Sequence, residues 1–191
     1  MKLESNATKE KRVTLSLETQ AALWAFLGVL IFSFTLPLTR IAAPEIGGFT
    51  IGIGRAIIAA AIAGTVLYLR REKFPERKHW RGLALVALGV VFGFPVFSSI
   101  ALQFVDASHG SVINGLLPAA SAVAAVIFTR ERPQWTFWIV CGAGVIAAIL
   151  YGISRGAGQL QPGDLLMLAA VFMAAIGYAE GGRLSRELEG W

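Results

Sequence analysis

An apolar run from Val112 to Thr129, interrupted only by Asn114 and Ser121, constrains this chain more than any other feature. A bilayer core about 30 Å thick is crossed by roughly 20 helical residues, because each residue of an α-helix rises about 1.5 Å. The run therefore predicts a membrane-spanning helix. Pro118 near its start frees a backbone group that needs a partner, so we expect this helix to face protein or a water-filled cavity.

Five further apolar runs of similar length predict five more spans. The composition agrees, because only 15% of the residues are charged and 55% are hydrophobic, whereas a soluble domain carries about 25% charged residues. We predict an all-α fold, a polytopic membrane helix bundle. Its six spans are expected at Gln20–Thr39, about Gly47–Leu69, Gly82 to about Val105, Val112–Thr129 after a polar turn at Asp106–Ser111, about Trp135–Ile153, and Asp164 to about Gly181.

The basic residues predict the orientation in the membrane. With a cytoplasmic N-terminus, four basic residues of the tail, six between Arg70 and Arg81, and two pairs after the fourth and sixth spans lie inside. Only Arg40 and Arg155 lie outside, and Arg55 lies within the second span. Cytoplasmic loops are enriched in Lys and Arg, so the N-terminus is predicted to be cytoplasmic. The same loops account for the net charge of +5 without a nucleic-acid partner.

Small residues recur at every fourth position of the second span. They form one flat face that would let another helix approach closely. Arg55 lies about a third of the way into the same span, where a charge is costly unless it reaches the interface or is paired. The small positions are Gly48, Gly52, Ala56, Ala60 and Gly64.

A weak internal repeat relates the first and last spans. The segments FSFTLPLTRIAAPE and AAIGYAEGGRLSRE align when Arg40 is matched with Arg183. The sixth span crosses the membrane in the direction opposite to the first, which is the arrangement of an inverted-topology repeat in secondary transporters.

Several segments carry a resemblance to a known family. They are FTLPLTRIAAPE, GRAIIAA, ALQFVDASHGSVINGLLPAASAVAAVIFTRERP and CGAGVIAAIL. Together they resemble the EamA-like branch of the drug/metabolite transporter superfamily, in which the fourth span typically has Ala-Ser, a Pro and a terminal Glu, here Ala107, Ser108, Pro118 and Glu131. The resemblance implies two five-helix repeats and transport of small metabolites across a bacterial inner membrane, with export as the expected direction and no cofactor.

This resemblance also predicts the domain organisation. Residues 1–19 would form a cytoplasmic tail, residues 20–153 one five-helix repeat, and residues 164–191 the first helix of a second, incomplete repeat. A secondary transporter places its site between two such repeats. We therefore expect the chain to need a second copy of itself or a missing second repeat before it can transport.

Five polar side chains are candidates for the substrate site or its cavity. Arg55 could bind an anionic group, or it could extend towards the interface as a structural arginine. Gln103, Ser111 and Asn114 could line a cavity between the third and fourth spans, or they could form hydrogen bonds between helices. Glu180 could carry a proton or bind a cation, or it could pair with Arg183 at the cytoplasmic interface. His109 is expected in an exposed outer turn.

Two other classes of protein compete with a transporter. An intramembrane enzyme is disfavoured, because the spans contain no paired carboxylates, no histidine-rich metal cluster and no Ser–His arrangement. An accessory or assembly protein would use the small-residue face of the second span to bind partner helices. Arg55 and the inverted repeat favour transport over both.

Overall fold

The computed structural model describes residues 17–72, 74–128, 130, 133–154 and 161–188. Residues 1–16 of the predicted tail, Glu131 and most of the Ser154–Gly163 connection lie outside this part of the chain. The chain divides into two compact units, Met1–Thr35 and Leu36–Trp191, which are described separately.

Most of the described residues are helical, and no strand occurs among them. The first unit contains α1, Leu17–Ser33, whose apolar side chains from Ala21 onwards are exposed, as expected for contact with lipid. The remaining helices are α2 (Thr35–Ile46), α3 (Gly48–Arg70), α4 (Trp80–Val86), α5 (Phe94–Ala101), α6 (Ala107–Asn114), α7 (Leu117–Phe128), α8 (Trp135–Ser154) and α9 (Pro162–Leu184).

Six helical stretches within the described residues are long and apolar enough to cross a membrane. The prediction of an all-α protein with six such helices is therefore confirmed. The stretches run over Thr19–Ile46, Gly48–Arg70, Arg77–Ala101, Ala107–Phe128, Trp135–Ser154 and Pro162–Leu184.

The third and fourth stretches contain irregular segments that bear on the site. The third has a 3₁₀ turn at Arg77–His79 and a π-helical segment at Ala87–Gly93, just before Pro95. Proline lacks the backbone N–H that would continue a regular helix, and departures from α-helical hydrogen bonding often adjoin such a residue. The fourth is interrupted between α6 and α7, two residues before Pro118.

The fourth stretch begins earlier than predicted. The polar residues up to Ser111 were expected to form a turn, but the helix begins at Ala107 after Asp106, whose backbone is extended. Short polar residues suit the first turn of a helix, where backbone N–H groups lack partners within the helix. Ser111 therefore lies on a helix.

The helix α9 is the most buried span of the second unit. Its small side chains allow backbones to approach: a methyl group added at Gly89 of the π-helical segment would collide with the carbonyl oxygen of Met173, and Gly177 lies beside it. Apolar contacts extend this packing to α5, α7 and Leu36 at the start of α2. The buried apolar side chains and glycines of α9 are Gly163, Met167, Ala170, Val171, Ala174, Ala175, Gly177, Ala179 and Leu184.

Candidate functional site

The close packing of α3 on α5 places Arg55 inside the second unit. A methyl group added at Gly48 would collide with the backbone of Ser99, and one added at Gly52 would lie 2.7 Å from the Cα atom of Val96. Arg55 follows Gly52 by three residues and so lies on the same face of α3. Its half-buried side chain is consequently directed into the helix packing and not out to lipid.

Arg55 makes a single hydrogen bond to the described part of the chain. Its Nη1 atom donates to Oγ1 of Thr39 at 3.3 Å. Thr39 lies on α2 and is buried, so this contact joins α2 to α3. No carboxylate of the described residues lies within ion-pair distance of Arg55.

Two other arginines of the spans do have carboxylate partners. Arg40 was predicted to mark the outer end of the first span, but α2 continues past it to Ile46. Its guanidinium donates to the carbonyl of Leu102 and pairs with Asp106 at 3.1 Å. Near the end of α9, Arg183 pairs with Glu180 and Glu187.

Gln103, Ser111 and Asn114 are not joined to one another by a hydrogen bond in the described structure. Gln103 is exposed and donates to the carbonyl of Ala43 on α2 at 3.4 Å, whereas Ser111 donates to Ala107 of its own helix. The side-chain oxygen of Asn114 is buried and has no hydrogen-bond partner. The assignment of these residues to one cavity stays a prediction.

A second polar group of the fourth stretch is also unsatisfied. Ser121 lies on α7, and its hydroxyl is buried without a partner in the described structure, as is the side-chain oxygen of Asn114 at the end of α6. Leu117, between them in the chain, packs towards Ala174 and Ala175 of α9. Sequence reasoning noted Ser121 as an interruption of the apolar run but did not select it as a site residue.

Glu180 is held by two hydrogen bonds from Arg183, at 2.5 and 3.1 Å. Its carboxylate lies over Gly82 of α4, at the position that a methyl group on Gly82 would occupy. Arg183 also donates to Glu187, which pairs with the buried His79. This geometry favours the structural alternative for Glu180, an interfacial ion-pair cluster.

The prediction that His109 lies in an exposed turn is wrong. Its Nε2 atom lies 2.7 Å from Oδ1 of Asp164, and the two side chains are only 12% and 9% exposed. Asp164 also accepts a hydrogen bond from the backbone N–H of Gln161 and caps α9. The sequence signal was an acidic residue three positions after a polar one at the start of an apolar run, which is typical of a capped helix N-terminus.

One surface depression lies away from the predicted site residues. It is open, and it lies at the start of α8. Its lining residues are Pro133, Gln134, Thr136, Phe137 and Val140. These side chains include no charged group that could select a ligand, so the geometry gives it no role in the site.

Comparison with known proteins places this architecture in a family. Residues 19–153 match the EamA-like transporter family. A protein named as the uncharacterized transporter YdeK of Bacillus subtilis (strain 168) is 42% identical over 166 residues, which cover 87% of this chain and 58% of that protein.

A more distant relative is named as the S-adenosylmethionine/S-adenosylhomocysteine transporter of Chlamydia muridarum (strain MoPn / Nigg). It is 24% identical over 185 residues, which cover 92% of this chain and 58% of that protein. The chain thus spans less than two thirds of the length of either relative. No solved structure matches it. Because the family match covers five of the six apolar helical stretches, this multi-pass membrane protein belongs to the EamA-like transporter family.

Proposed function

We propose that this chain belongs to a secondary transporter that moves small metabolites by alternating access, with export as the direction. The observation that carries the proposal is Arg55, a half-buried guanidinium within a span, whose one hydrogen bond to the described residues is to Thr39. Charged residues at such depth usually mark substrate or ion pathways. The family and the transporter names of both relatives support the same activity.

Alternating access requires a second wall for the pathway. Transporters of this architecture bind substrate near the membrane midplane, between two repeats that rock against each other. The family match ends at residue 153, before α9, which is consistent with one five-helix repeat followed by a further helix. We propose that a second repeat, or a second copy of this chain, supplies the facing wall.

Flux measurement tests the transport activity. The protein in its natural full length would be reconstituted into liposomes and assayed with a panel of small metabolites. Arg55→Ala should lower the flux of the transported compound about tenfold or more, because it removes a charged hydrogen-bonding group. Arg81→Ala is the matched control, since Arg81 is an exposed arginine near the start of α4. Unchanged flux in the Arg55 variant would give Arg55 a structural role.

An accessory or assembly protein remains the second candidate. The observation that favours it is the C-terminal half of the small-residue face of α3, where Ala60 and Gly64 are exposed and no atom lies within 4 Å of a methyl group placed on Gly64. Such a free face could receive a partner helix. Absence of flux across the metabolite panel, together with co-purification of a partner that Gly64→Leu abolishes, would favour this second function.

The proposed location is the inner membrane with a cytoplasmic N-terminus. Cysteine labelling tests the orientation, because Cys141 is the single cysteine and can be replaced by serine. In that background, an impermeant maleimide added outside should label Ser108→Cys and leave Glu72→Cys unlabelled. Both positions are exposed, so the comparison reports their side of the membrane. The opposite labelling pattern would invert the topology.

A further inference from the structure

We propose that Arg55 and Thr39 bind the carboxylate group of the transported molecule. This inference rests on the proposed transport function and names the chemical class of its substrate. Two features of the described structure carry it: the charge of Arg55, which has no carboxylate partner there, and the hydroxyl proton of Thr39, which is available to donate.

The charge of Arg55 is the first feature. Arg40 and Arg183 show that this fold supplies carboxylates to arginines of its spans, through Asp106 and Glu180. From the described residues, Arg55 receives one neutral hydroxyl oxygen at 3.3 Å as its acceptor. A guanidinium has five N–H donors and no acceptor, so most of its donors have no acceptor within the part of the chain that the structure describes. An anion is the partner that this geometry lacks.

The hydrogen-bonding inventory around Arg55 is the second feature. Thr39 uses an oxygen lone pair to accept from Arg55, which leaves its O–H proton available to donate. Among the described residues, the guanidinium of Arg55 on α3 and the hydroxyl of Thr39 on α2 thus offer donors from two neighbouring helices, which suits a ligand group that accepts hydrogen bonds.

The number of charges selects a carboxylate over a phosphate. Arg55 contributes one positive charge, which one carboxylate neutralises. A phosphate monoester carries about −1.5 to −2 at neutral pH and would keep an uncompensated charge within the span. A carboxylate also matches the planar fork of the guanidinium, which it can engage with both oxygens. An amide or a cationic group would leave the guanidinium unneutralised.

Binding of simple carboxylates tests the site directly. Saturation-transfer NMR on the purified full chain would be recorded with the sodium salts of straight-chain acids from acetate to hexanoate, and with their primary amides. The acids should bind saturably and the amides should not. Arg55→Gln should weaken binding of the acids about tenfold or more. Arg55→Lys should bind them with intermediate affinity, because lysine keeps the charge but lacks the fork.

Arg81→Gln is the matched control and should bind the acids as the wild type does, since it removes the same charge from an exposed site. Circular dichroism and gel filtration would establish that each variant folds. If Arg55→Gln does not fold, Arg55→Lys still tests the site. Equal binding of acids and amides, or full binding by Arg55→Gln, would overturn the inference. So would a lack of acid binding by the wild type, the result expected if Arg55 pairs with another protein carboxylate.

Flux measurements separate this inference from the proposed function. Selective transport of a carboxylate compound, lost on Arg55→Gln, would support both. Transport of compounds with and without a carboxylate at equal rates would overturn the proposed substrate class, but the proposed transport function would stand. Carboxylate binding that depends on Arg55, without flux of any tested compound, would overturn the proposed transport function, whereas the proposed carboxylate-binding site would stand.

Discussion

Replacing Gly48 by leucine is expected to destabilise the helix bundle strongly, whereas the same change at Gly64 leaves its stability unchanged. The Cβ atom alone at position 48 would collide with the carbonyl of Ser99 and the Cα atom of Ile100. These are backbone atoms and cannot move aside as a flexible side chain would. Overpacking of a helix interface costs about 1–3 kcal/mol and more when backbones must separate. Thermal unfolding in detergent, followed by tryptophan fluorescence, measures the difference.

Gly64 is a demanding control because it belongs to the same helix and the same sequence pattern. A methyl group placed on it meets no atom within 4 Å. Equal destabilisation by both variants would mean that the whole face from Gly48 to Gly64 is buried in the native protein, against a partner helix. The contrast therefore tests which half of the face the fold itself uses.

Asp164→Ala is expected to have the second large effect. It leaves His109 buried without its partner and removes the acceptor that caps α9 through Gln161. Leaving a buried hydrogen-bonding group without its partner costs about 1–3 kcal/mol, and losing a helix cap typically costs about 1 kcal/mol. The free energy of unfolding should fall by an amount in this range, as measured by denaturant titration in mixed micelles.

The control for Asp164 is an ion pair of similar length at the surface. Glu76 and Lys78 lie 2.8 Å apart, and both side chains are largely exposed. The hydrogen bond from Lys78 lowers the pKa of the Glu76 carboxyl. Solvent screens such a pair, so Glu76→Ala should leave the unfolding free energy unchanged. Equal effects at Asp164 and Glu76 would show that the His109–Asp164 pair contributes no more than a surface contact.

The six spans could be predicted from the sequence because their signal is local. A run of apolar residues long enough to cross the bilayer needs no knowledge of its neighbours, so Val112–Thr129 and Trp135–Ile153 were located to within a few residues at most ends. The start of the fourth span was missed, because the polar residues Ser108 and His109 suit both a turn and the first turn of a helix.

The partners of the polar side chains could not be predicted, because they are set by packing between distant segments. His109 and Asp164 are separated by 55 residues, and Arg40 and Asp106 by 66. Small residues predicted a close helix contact on α3, and the structure confirms it for the N-terminal part of that face, where Gly48, Gly52 and Ala56 are buried, but not at the exposed Ala60 and Gly64. The point at which this face of α3 loses contact with its neighbour depends on where α5 begins and ends, and the sequence of α3 carries no information about that.

The π-helical segment Ala87–Gly93 also fixes which side of the third span looks inward. Its hydrogen bonds join residues five apart, so the backbone advances less angle per residue than in an α-helix. Phe94, directly after it, packs on Ala170 and Ala174. Deleting one residue from the segment would turn all of α5 by about 100° about its axis. The number of residues in this segment thus sets which side of α5 faces lipid, and a single-codon deletion would turn part of its protein-facing side towards lipid without altering any side chain of α5.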